Sequence, residues 1–436
     1  MSQLFLSSLR TQNYKNLSFD KFVELRNINI FIGSNGSGKS NLINYLKFLQ
    51  NCLNPNPDFN QNISSFSNAL MNIGNGRILD NSVKSINTAN TVGFVYGFLP
   101  TSQIGHERTG EIVLCIKILV TILPPMVFLG QEFLIERKHN SPNFIHYNFH
   151  EEGTRKGKVA VYKDNNQHFK ADNETFETLD NIPLDSLGLA IIPKLLENSK
   201  YPPENIPVYK VRRDIINFVA KWRFYNANEM NLYQIRTSEP KIGGNNVYLS
   251  ASGENLALVL ENLIQEDIDF EDTINQAMKS ILPKTRRIKP IRSGRLSLTV
   301  AWYFEDNKEP FYLSEMSDGT VRMLCWAIIL HSPVLPSLLV IDEPELGLHV
   351  SWMRILSEWI KEASTKTQVI ITTHSPDLLD HFTDCLENVY CFYSEDQSHF
   401  SMKPLSQEML ADKLEEGWQL GDLYRVGDPS VGGWPW

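Results

Sequence analysis

Two spacings of apolar residues divide the chain into regions that predict strands and regions that predict helices. Residues 28–32 are almost entirely apolar, which predicts a buried strand, and a glycine-rich segment follows them. Residues 41–50 show a helical spacing instead, with one apolar face made by Leu42, Tyr45, Leu46 and Leu49. The start of the chain therefore predicts a strand, a loop and an amphipathic helix in succession.

The middle of the chain changes its pattern twice. Residues 51–90 are rich in Asn, Ser, Gly and Pro, which predicts an irregular surface insertion. Residues 94–175 carry short alternating apolar runs separated by turn signals, which indicates an antiparallel sheet. Residues 181–282 show a helical period, with helices predicted over 214–225 and 252–265.

The last third of the chain alternates between strands and helices. Every second residue from Leu296 to Phe304 is apolar, which predicts a strand with one buried face. Two further strands are predicted over residues 338–341 and 369–372. Between them lies an amphipathic helix whose apolar side is formed by Trp352, Leu356, Trp359 and Ile360. Strands that alternate with helices in this way are typical of a parallel α/β architecture.

Composition excludes several classes of protein. The 436 residues suit two or three domains, and a net charge of −9 gives no overall basic character for binding nucleic acid. The five cysteines form no CxxC pair, and the N-terminus lacks an apolar segment of signal-peptide length, so we expect a cytoplasmic protein. The most apolar stretch, residues 112–129, contains Lys117 and a Pro-Pro pair, which favours two strands and a turn over a membrane span.

The glycine-rich segment after the first buried strand matches the pattern G-x-x-x-x-G-K-[ST]. It consists of Gly33, Ser34, Asn35, Gly36, Ser37, Gly38, Lys39 and Ser40. Glycines let backbone N–H groups approach phosphates, and the following helix N-terminus adds positive potential. Lys39 would reach the β and γ phosphates, and Ser40 would hold Mg²⁺. A plain glycine-rich turn is the alternative, but the flanking strand and helix supply the context that the motif requires.

Two later strands also end in polar residues. The apolar run 338–341 is followed by Asp342 and Glu343, so that Asp342 would bind Mg²⁺ through water and Glu343 would activate an attacking water. The run 369–372 is followed by Thr373 and His374, and His374 is placed to contact the γ-phosphate. A solvated acidic turn and a structural histidine are the alternatives. Ligands bind at the carboxyl edge of such sheets, which favours the functional reading.

These elements, in this order, resemble those of ABC ATPases. The segment LSEMSDGTVR, residues 313–322, resembles the ABC signature, and SDGTVR, IDEPELGLH and THSPDLL are similar to soluble ABC ATPases of the RecF, SMC and OLD group. Within that group the chain is most similar to bacterial predicted ATPases with suspected anti-phage roles, and the terminal Gly421-Asp422-Leu423 and Gly432-Gly433 pattern resembles them too.

The resemblance implies a site shared between two subunits. Ser317 and Gly319 would contact the γ-phosphate of the opposite subunit, and His349 would contribute across the interface. Asp318 departs from the pattern, since a carboxylate there repels phosphate unless it is turned away. Ser317 also suits a helix N-cap on its own account. The full set of expected nucleotide contacts comprises Gly33, Ser34, Asn35, Gly36, Ser37, Gly38, Lys39, Ser40, Asn41, Ser317 and Gly319.

The resemblance also implies the domain organisation. We expect an α/β ABC-ATPase head with a mixed or parallel sheet, an antiparallel β-subdomain and a large inserted helical lobe. The predicted boundaries are 1–50 and 296–410 for the head, 51–93 for the insertion, 94–180 for the β-subdomain, 181–295 for the helical lobe and 411–436 for the tail. The glutamine that links the site to the inserted lobe in the family has no clear counterpart, although Gln50 and Gln131 are candidates. The tail carries Trp418, Trp434 and Trp436, which we expect to dock on the protein or on a partner.

A cluster of basic residues precedes the signature segment: Lys284, Arg286, Arg287, Lys289, Arg292 and Arg295. It suits a phosphate-backbone groove, but the pattern favours a solvated loop and strand edge whose charges oppose aggregation.

We therefore predict an ATP hydrolase that uses Mg²⁺ and acts as a dimeric switch or clamp in DNA repair or antiviral defence, with a separate nuclease or toxin effector. A protein-assembly scaffold that does not bind nucleic acid is one alternative. A transporter ATPase subunit is the other, and its test is co-purification with a membrane subunit.

Overall fold

The structure is a computed structural model of the whole chain. It describes residues 4–54, 64–85, 89–100, 110–137, 142–151, 156–162, 176–196, 206–394 and 399–432. Trp434, Trp436 and Gly433 lie outside these ranges.

Helices and strands interleave along the whole chain. The helices are α1 (Lys39–Leu53), α2 (Ser65–Ile73), α3 (Gly188–Leu195), α4 (Pro207–Ala220), α5 (Leu232–Thr237), α6 (Leu256–Glu266), α7 (Phe270–Ile281), α8 (Asp318–Leu330), α9 (Met353–Ser364), α10 (Pro376–Leu379), α11 (Gln407–Glu415) and α12 (Leu420–Arg425). The strands are β1 (Leu4–Gln12), β2 (Val23–Glu24), β3 (Ile28–Ile32), β4 (Asn90–Pro100), β5 (Ile112–Thr121), β6 (Met126–Glu136), β7 (Phe144–Glu151), β8 (Gly157–Tyr162), β9 (Phe176–Ile182), β10 (Trp222–Asn226), β11 (Thr285–Ser293), β12 (Ser297–Phe304), β13 (Phe311–Tyr312), β14 (Leu338–Asp342), β15 (Gln368–Thr372), β16 (Val389–Tyr393) and β17 (Ser401–Pro404).

The chain divides into two compact units. The first comprises residues 1–26, 35–222 and 392–403, and the second comprises residues 27–34, 223–391 and 404–436. Each unit is assembled from segments that are far apart in sequence, and the glycine-rich segment passes from the second unit to the first between Ser34 and Asn35.

The first unit is built on an eight-stranded sheet in the order β2-β1-β4-β5-β6-β7-β8-β9. Neighbouring strands of this sheet pair antiparallel throughout that order. Helix α1 covers it with the apolar face that the sequence predicts, and Tyr45 of that face packs against Phe94 and Tyr96 of β4. The apolar stretch 112–129 forms β5, a turn and the start of β6, as its internal Lys and prolines indicate. No helix in the described ranges is long and apolar enough to cross a membrane.

The second unit is built on a parallel sheet in which β3 lies between β15 and β16, and β14 lies beyond β15. Strands β3 and β15 are buried at every position, since a parallel sheet is covered on both faces. Strands β11, β12 and β13, which precede the signature segment, form a second sheet of this unit, and its strands are antiparallel. In β12 the predicted alternation holds for Leu298, Val300 and Trp302, which are buried, whereas Leu296 precedes the strand and is exposed.

Three predicted elements differ from the structure. The helix expected over residues 214–225 ends at Ala220, because the aromatic run 222–225 belongs to β10, which lies beside β14. The helix expected from Ser252 begins later, with Asn255 as its N-terminal cap. The insertion 51–93 is not wholly irregular, since its described part includes α2, which buries Phe66 and Leu70.

The predicted domain boundaries also differ from the two units. Residues 181–295 do not form one helical lobe: α3 and α4 belong to the first unit, whereas α5, α6, α7 and β11 belong to the second. Strand β1 shares a sheet with β4, so the start of the chain lies in the first unit together with the strands predicted for the β-subdomain. The prediction grouped residues 181–295 because they are consecutive in sequence. In the structure they are divided between the two units.

Candidate functional site

Strand order in the second unit brings several predicted residues to one edge of a sheet. In the parallel register, Asp342 of β14 lies opposite Thr372 of β15, and Thr372 lies opposite Phe31 of β3. All three strands end at the same level. Gly33, the Asp342-Glu343 pair and the Thr373-His374 pair therefore emerge at one carboxyl edge, which is where ligands bind in open α/β sheets.

Asp342 is held by side chains from both neighbouring strands. Its Oδ2 accepts a hydrogen bond of 2.8 Å from Asn226 Nδ2, and its Oδ1 accepts one from Thr372 Oγ1. A backbone hydrogen bond joins the same two segments, since Ala227 N donates to Asp342 O at 3.2 Å. The carboxylate is thereby fixed in orientation and keeps lone pairs for a hard cation or for water bound to it.

Glu343 adopts a backbone conformation that non-glycine residues rarely occupy, with φ of 51°. Its N–H donates to Thr372 O at 3.0 Å, which helps to hold this conformation. Strain of this kind costs about 1–3 kcal/mol and is concentrated at functional sites. The carboxylate is directed toward the ring of His374, with 3.7 Å between Oε1 and Nε2, and both side chains are partly exposed.

Glu345 connects the acidic segment to the one that carries His374. Its Oε1 accepts hydrogen bonds from Thr373 Oγ1 at 2.7 Å and from His374 N at 3.0 Å. Burial raises the pKa of Glu345, although both hydrogen bonds oppose that shift. The backbone position of His374 therefore depends on the segment that carries Glu343.

The glycine-rich loop has the open backbone that phosphate binding needs. Gly36 has φ of 81° and no atom within 4 Å of the place where a Cβ would lie, so its exposed backbone leaves room for a ligand. Gly38 has φ of 103°, and a Cβ there would lie 2.4 Å from Leu17 Cδ2. Asn16 steadies the loop by donating from Nδ2 to Gly36 O at 2.7 Å.

Helix α1 begins at Lys39, directly after this loop, and no side chain caps its N-terminus. Backbone N–H groups in this position suit an anion. Lys39 is buried, with Nζ 3.4 Å from Ser37 Oγ, while Ser40 is exposed. Asn41 takes part in the support of the loop, because its Nδ2 donates to Asn16 Oδ1 at 2.8 Å.

The signature segment is arranged around the N-terminus of α8. Ser317 is the N-cap, and its Oγ accepts from Thr320 N at 3.2 Å. The unexpected carboxylate of Asp318 lies 2.6 Å from Arg236 Nη2. The same guanidinium donates to Leu313 O and Met316 O, so Arg236 holds the segment in place. Asp318 thus has a cationic partner of its own.

Gly319 lies where the signature segment meets the segment after Glu345. A Cβ on Gly319 would lie 3.0 Å from Trp352 and 3.3 Å from Gly347 O, so only glycine fits without displacement. His349 is exposed and accepts a hydrogen bond from Ser351 N through Nδ1 at 3.2 Å. Its contact across an interface stays a prediction.

The two glutamines suggested as links to the inserted lobe, Gln50 and Gln131, make contacts within the first unit. Gln50 donates from Nε2 to Val219 O and Trp222 O, at 3.1 and 2.9 Å, and so fixes the end of α4. Gln131 is part of β6, paired with Lys117 of β5 and His150 of β7. Neither observation places them at the sheet edge described above.

Three residues of the site escaped the sequence analysis. Asn226 follows an aromatic run that fits a strand as well as a helix, so reading that run as a strand would have placed it beside Asp342. Arg236 has no recognisable pattern around it, whereas Tyr424 directly follows the Gly421-Asp422-Leu423 pattern, which could have pointed to it. Tyr424, in α12, donates to Gly33 O at 3.1 Å and lies 3.2 Å from His374 Nδ1.

The donors at the sheet edge fit magnesium bound together with a nucleotide better than a metal held by protein alone. No group of three or more His, Cys, Asp or Glu side chains suited to a metal occurs within the described part of the chain. Mg²⁺ commonly binds through one or two protein oxygens plus phosphates and water, and Asp342 supplies an oriented carboxylate of this kind.

Comparisons with known proteins agree with these observations. Residues 191–380 match the family described as "AAA domain, putative AbiEii toxin, Type IV TA system". No curated protein matches the chain. Among solved structures, the chain is similar to an SMC head bound to the C-winged helix domain of ScpA, with a TM-score of 0.52 and 12% identity over 93% of this chain and 99% of that one. It is also similar to an SMC head with an extended coiled coil, bound to the C-terminal domain of ScpA and derived from Pyrococcus furiosus, with a TM-score of 0.46 and 13% identity over 95% of this chain and 99% of that one.

The predicted fold class is therefore confirmed: the chain has the mixed α/β fold of an SMC-type ATPase head. The family match and the fold are consistent with the RecF, SMC and OLD-like group of ABC-type P-loop ATPases that the motifs resemble. They support a nucleotide-binding ATPase.

Proposed function

We propose that the protein binds and hydrolyses Mg-ATP between two copies of the chain and uses the cycle as a conformational switch. The observation that carries this proposal is the common edge formed by β3, β14 and β15. It collects the start of the phosphate loop, an oriented aspartate, a strained glutamate and a histidine in one place. Phosphoryl transfer from a bound nucleotide uses a phosphate-binding loop, a carboxylate that holds the metal and a group that orients the attacking water.

Each side chain has a role that its surroundings support. The loop from Gly33 to Ser40 and Asn41 would hold the phosphates, with Lys39 as their cation. Ser40 and Asp342 would hold Mg²⁺, which neutralises charge on the transferred phosphoryl group when it is bound. Glu343 would accept a proton from the attacking water as the water oxygen bonds to the γ-phosphorus and the bond to the bridging oxygen of ADP breaks.

The surface around Ser317 supports dimerisation through the signature segment. Leu346 and Val350 belong to the same segment as Gly347 and Trp352, the neighbours of Gly319, and both are exposed, at 37% and 58%. Exposed apolar side chains beside a polar helix N-terminus suit a surface that is covered in one state of a cycle. Ser317 and Gly319 would then meet the nucleotide of the opposite copy.

The test uses Glu343→Gln, which keeps the size of the side chain but cannot accept the proton. We expect this variant to bind Mg-ATP, to lose hydrolysis and to accumulate as a dimer in analytical ultracentrifugation. Glu358→Gln makes the same chemical change at an exposed position of α9 and should behave as the wild type. A Glu343→Gln protein that stays monomeric at saturating Mg-ATP would contradict the dimeric mechanism.

Mixing two inactive variants tests whether the site is shared. Lys39→Ala should lose phosphate binding in its own loop, and Ser317→Arg should block the opposite loop. A mixed dimer of the two has one intact composite site. We therefore expect ATPase activity to reappear on equimolar mixing, up to about a quarter of the wild-type rate, because free exchange makes about half of the dimers mixed and each mixed dimer has one working site of two. No recovery in dimers shown to contain both chains would refute the shared site.

We further propose that the switch acts on nucleic acid through β11 and the turn that follows it. Of the six basic residues, Lys284 pairs with Asp306 and Arg287 pairs with Glu271. Lys289 lies over the ring of Tyr303. Arg286, Arg292 and Arg295 are exposed, and they suit contacts with successive phosphates on one strand edge.

These pairings provide a matched control for the nucleic-acid test. Glutamate substitutions at Arg286, Arg292 and Arg295 should abolish gel shifts of duplex DNA at low salt. The same substitution at Lys284 and Arg287, which already have acidic partners, should weaken binding less. Absence of binding by the wild type to DNA and RNA at low salt would favour the protein-assembly scaffold instead.

A role in repair or defence, with a separate nuclease or toxin as effector, is part of the same proposal. The matching family model is described in terms of a toxin of a type IV toxin–antitoxin system, which supports the defence setting. Purification of the Glu343→Gln variant from its own host with Mg-ATP would reveal the effector, since the trapped dimer should retain it. Recovery of a membrane subunit in its place would favour the transporter alternative.

A further inference from the structure

A turn that follows β1, residues 13–18, contacts the glycine-rich loop. Asn16 of this turn donates from Nδ2 to Gly36 O at 2.7 Å. Leu17 and Asn16 occupy the space in which a Cβ on Gly38 would lie. The turn and this part of the loop belong to the first unit. The turn therefore meets the loop at Gly36 and again at Gly38.

The turn is held by segments that are distant from it in sequence. Lys15 N donates to Ile78 O at 2.7 Å, and Phe400 N donates to Asn16 O at 2.7 Å. Asn13 and Lys15 have φ of 55° and 52°, a backbone conformation that persists only when the surrounding structure holds it. These contacts fix the backbone on which the Asn16 side chain is mounted.

Side chains of the turn and of α1 form a directed chain of hydrogen bonds that ends on the loop. Lys15 Nζ donates to Asn41 Oδ1 at 3.1 Å, and Asn41 Nδ2 donates to Asn16 Oδ1 at 2.8 Å. An ammonium group donates and a backbone carbonyl accepts, so the two ends of the chain set the orientation of both amides. Asn16 therefore presents Nδ2, and not Oδ1, to Gly36 O.

The hydrogen bond to Gly36 O also decides where the next N–H points. In a trans peptide the C=O and the following N–H point in opposite directions. With Gly36 O directed to Asn16, the N–H of Ser37 points away from Asn16. Gly36 has φ of 81° and no atom within 4 Å of its Cβ position, so the glycine itself does little to prevent rotation of this peptide. Rotation by half a turn would replace the N–H donor by a carbonyl oxygen, which repels phosphate.

We propose that Asn16 is a positioning residue that fixes the peptide between Gly36 and Ser37, so that the N–H of Ser37 faces the phosphates of the bound nucleotide. The proposal rests on the proposed binding of Mg-ATP by the loop, and it names a residue outside the loop on which that binding depends. Asn16 acts through the peptide and does not touch the nucleotide. Its effect is on affinity, because an aligned N–H stabilises the bound ground state and the transition state alike.

The central experiment is Asn16→Ala, which removes the side-chain amide. We expect Kd for a non-hydrolysable Mg-ATP analogue to rise about tenfold in calorimetry, the equivalent of one hydrogen bond, while kcat at saturating Mg-ATP stays within about twofold. Thr11→Val is the matched control, because it removes a side-chain hydrogen bond to a backbone carbonyl, Gly93 O, in the same unit. An unchanged Kd in Asn16→Ala would overturn the proposal, as would an equal rise in the control.

Inorganic tripolyphosphate separates the phosphates from the rest of the nucleotide. We expect the Kd of its magnesium complex, measured by competition with the same analogue, to rise in Asn16→Ala by the same factor as that of the analogue. The reason is that the positioned N–H faces the phosphates and not the nucleoside. A loss confined to the nucleotide would show that Asn16 acts on the nucleoside site, and it would overturn the proposal.

The peptide itself is observed by NMR spectroscopy of the nucleotide-free protein. The sequence contains two Gly-Ser pairs, Gly33-Ser34 and Gly36-Ser37, so ¹³C-labelled glycine carbonyls and ¹⁵N-labelled serines give signals from these two peptides. Ser34→Ala removes one signal and thereby assigns the other. Asn16→Ala should shift or broaden the Gly36-Ser37 signal, whereas Thr11→Val should leave it unchanged. An unchanged signal in Asn16→Ala would overturn the proposal.

This last measurement needs neither nucleotide nor turnover, so the two proposals fail in different ways. A wild type that binds no Mg-ATP, although Asn16→Ala changes the Gly36-Ser37 signal, would refute the proposed function and leave the Asn16 contact established. A wild type that binds and hydrolyses Mg-ATP, beside an Asn16→Ala protein with the same Kd, would refute the positioning role alone.

Discussion

Replacing Glu132 by glutamine is expected to remove a large part of the pH dependence of stability in the first unit. Glu132 lies in β6 and is completely buried. Its carboxylate accepts hydrogen bonds from Tyr147 Oη, from Gly188 N at 2.5 Å and from Leu189 N at 3.0 Å. It thereby satisfies the first N–H groups of α3 and joins that helix to the sheet.

Burial raises the pKa of Glu132 to about 7 from its ordinary value of 4.5, and the hydrogen bonds from Tyr147, Leu189 and Gly188 oppose the shift without cancelling it. The folded state therefore keeps a proton that the unfolded state has already lost between these two values. Stability from this group is fully present below pH 4.5, falls as the pH rises and is lost above about pH 7. At about 1.4 kcal/mol for each pH unit, the total loss is about 3 kcal/mol.

The measurement is the free energy of unfolding of the first unit at several pH values between 4.5 and 8. Urea series followed by an exchange pulse at one fixed pH, with mass spectrometry of β6 and β7, report on this unit alone. Glu132→Gln should be less stable than the wild type at low pH, because its NH₂ group faces a backbone donor. Its stability should then change by about 3 kcal/mol less than that of the wild type up to pH 8.

The control is Glu254→Gln, which makes the same change at an exposed position. Its pH dependence should match the wild type. Parallel pH profiles for the wild type and Glu132→Gln would refute the reasoning, since they would show that Glu132 binds no extra proton in the folded state. A profile of opposite slope would show that the three hydrogen bonds outweigh burial.

Three further predictions concern the candidate site. Gly38→Ala should lower ATP affinity at least tenfold by calorimetry, because an L-residue at φ of 103° strains the loop, and unchanged affinity would contradict the role of the loop. Asn226→Ala should lower the rate of phosphate release about tenfold while nucleotide binding stays intact, since the carboxylate at the end of β14 loses one oriented hydrogen bond; a loss of binding alone would be evidence against this role. Arg236→Met should weaken ATP-driven dimerisation, because Asp318 would lose its cationic partner and repel phosphate. Combining Arg236→Met with Asp318→Asn should restore dimerisation. No difference between these two proteins in ultracentrifugation would exclude the repulsion.

The sequence by itself determined the local elements around the site. The apolar runs of β3, β14 and β15 are short and continuous, and only buried parallel strands accommodate them. The apolar face of α1 and the N-cap at Ser317 follow from spacing within a few residues. The glycine-rich loop is also local, since its residues are consecutive. These features were predictable because neighbours along the chain decide them.

Only the tertiary structure decided which of these elements meet. The aromatic run of β10 fits a helical or an extended spacing, and pairing beside β14 selects the strand and delivers Asn226 to Asp342. The pairing of Asp318 with Arg236 likewise joins an exposed carboxylate to a helix that no local pattern connects with it. Both contacts depend on strand order and on packing between distant segments.

The contact between Tyr424 and Gly33 is the extreme case, because 391 positions separate the two residues along the chain. A sequence shows what each segment is able to form. It does not show which backbone carbonyl a tyrosine hydroxyl will reach once a glycine lets its helix approach. The glycine-rich loop was therefore determined by consecutive residues, whereas its contact with α12 exists only because folding brings two distant segments of the chain together.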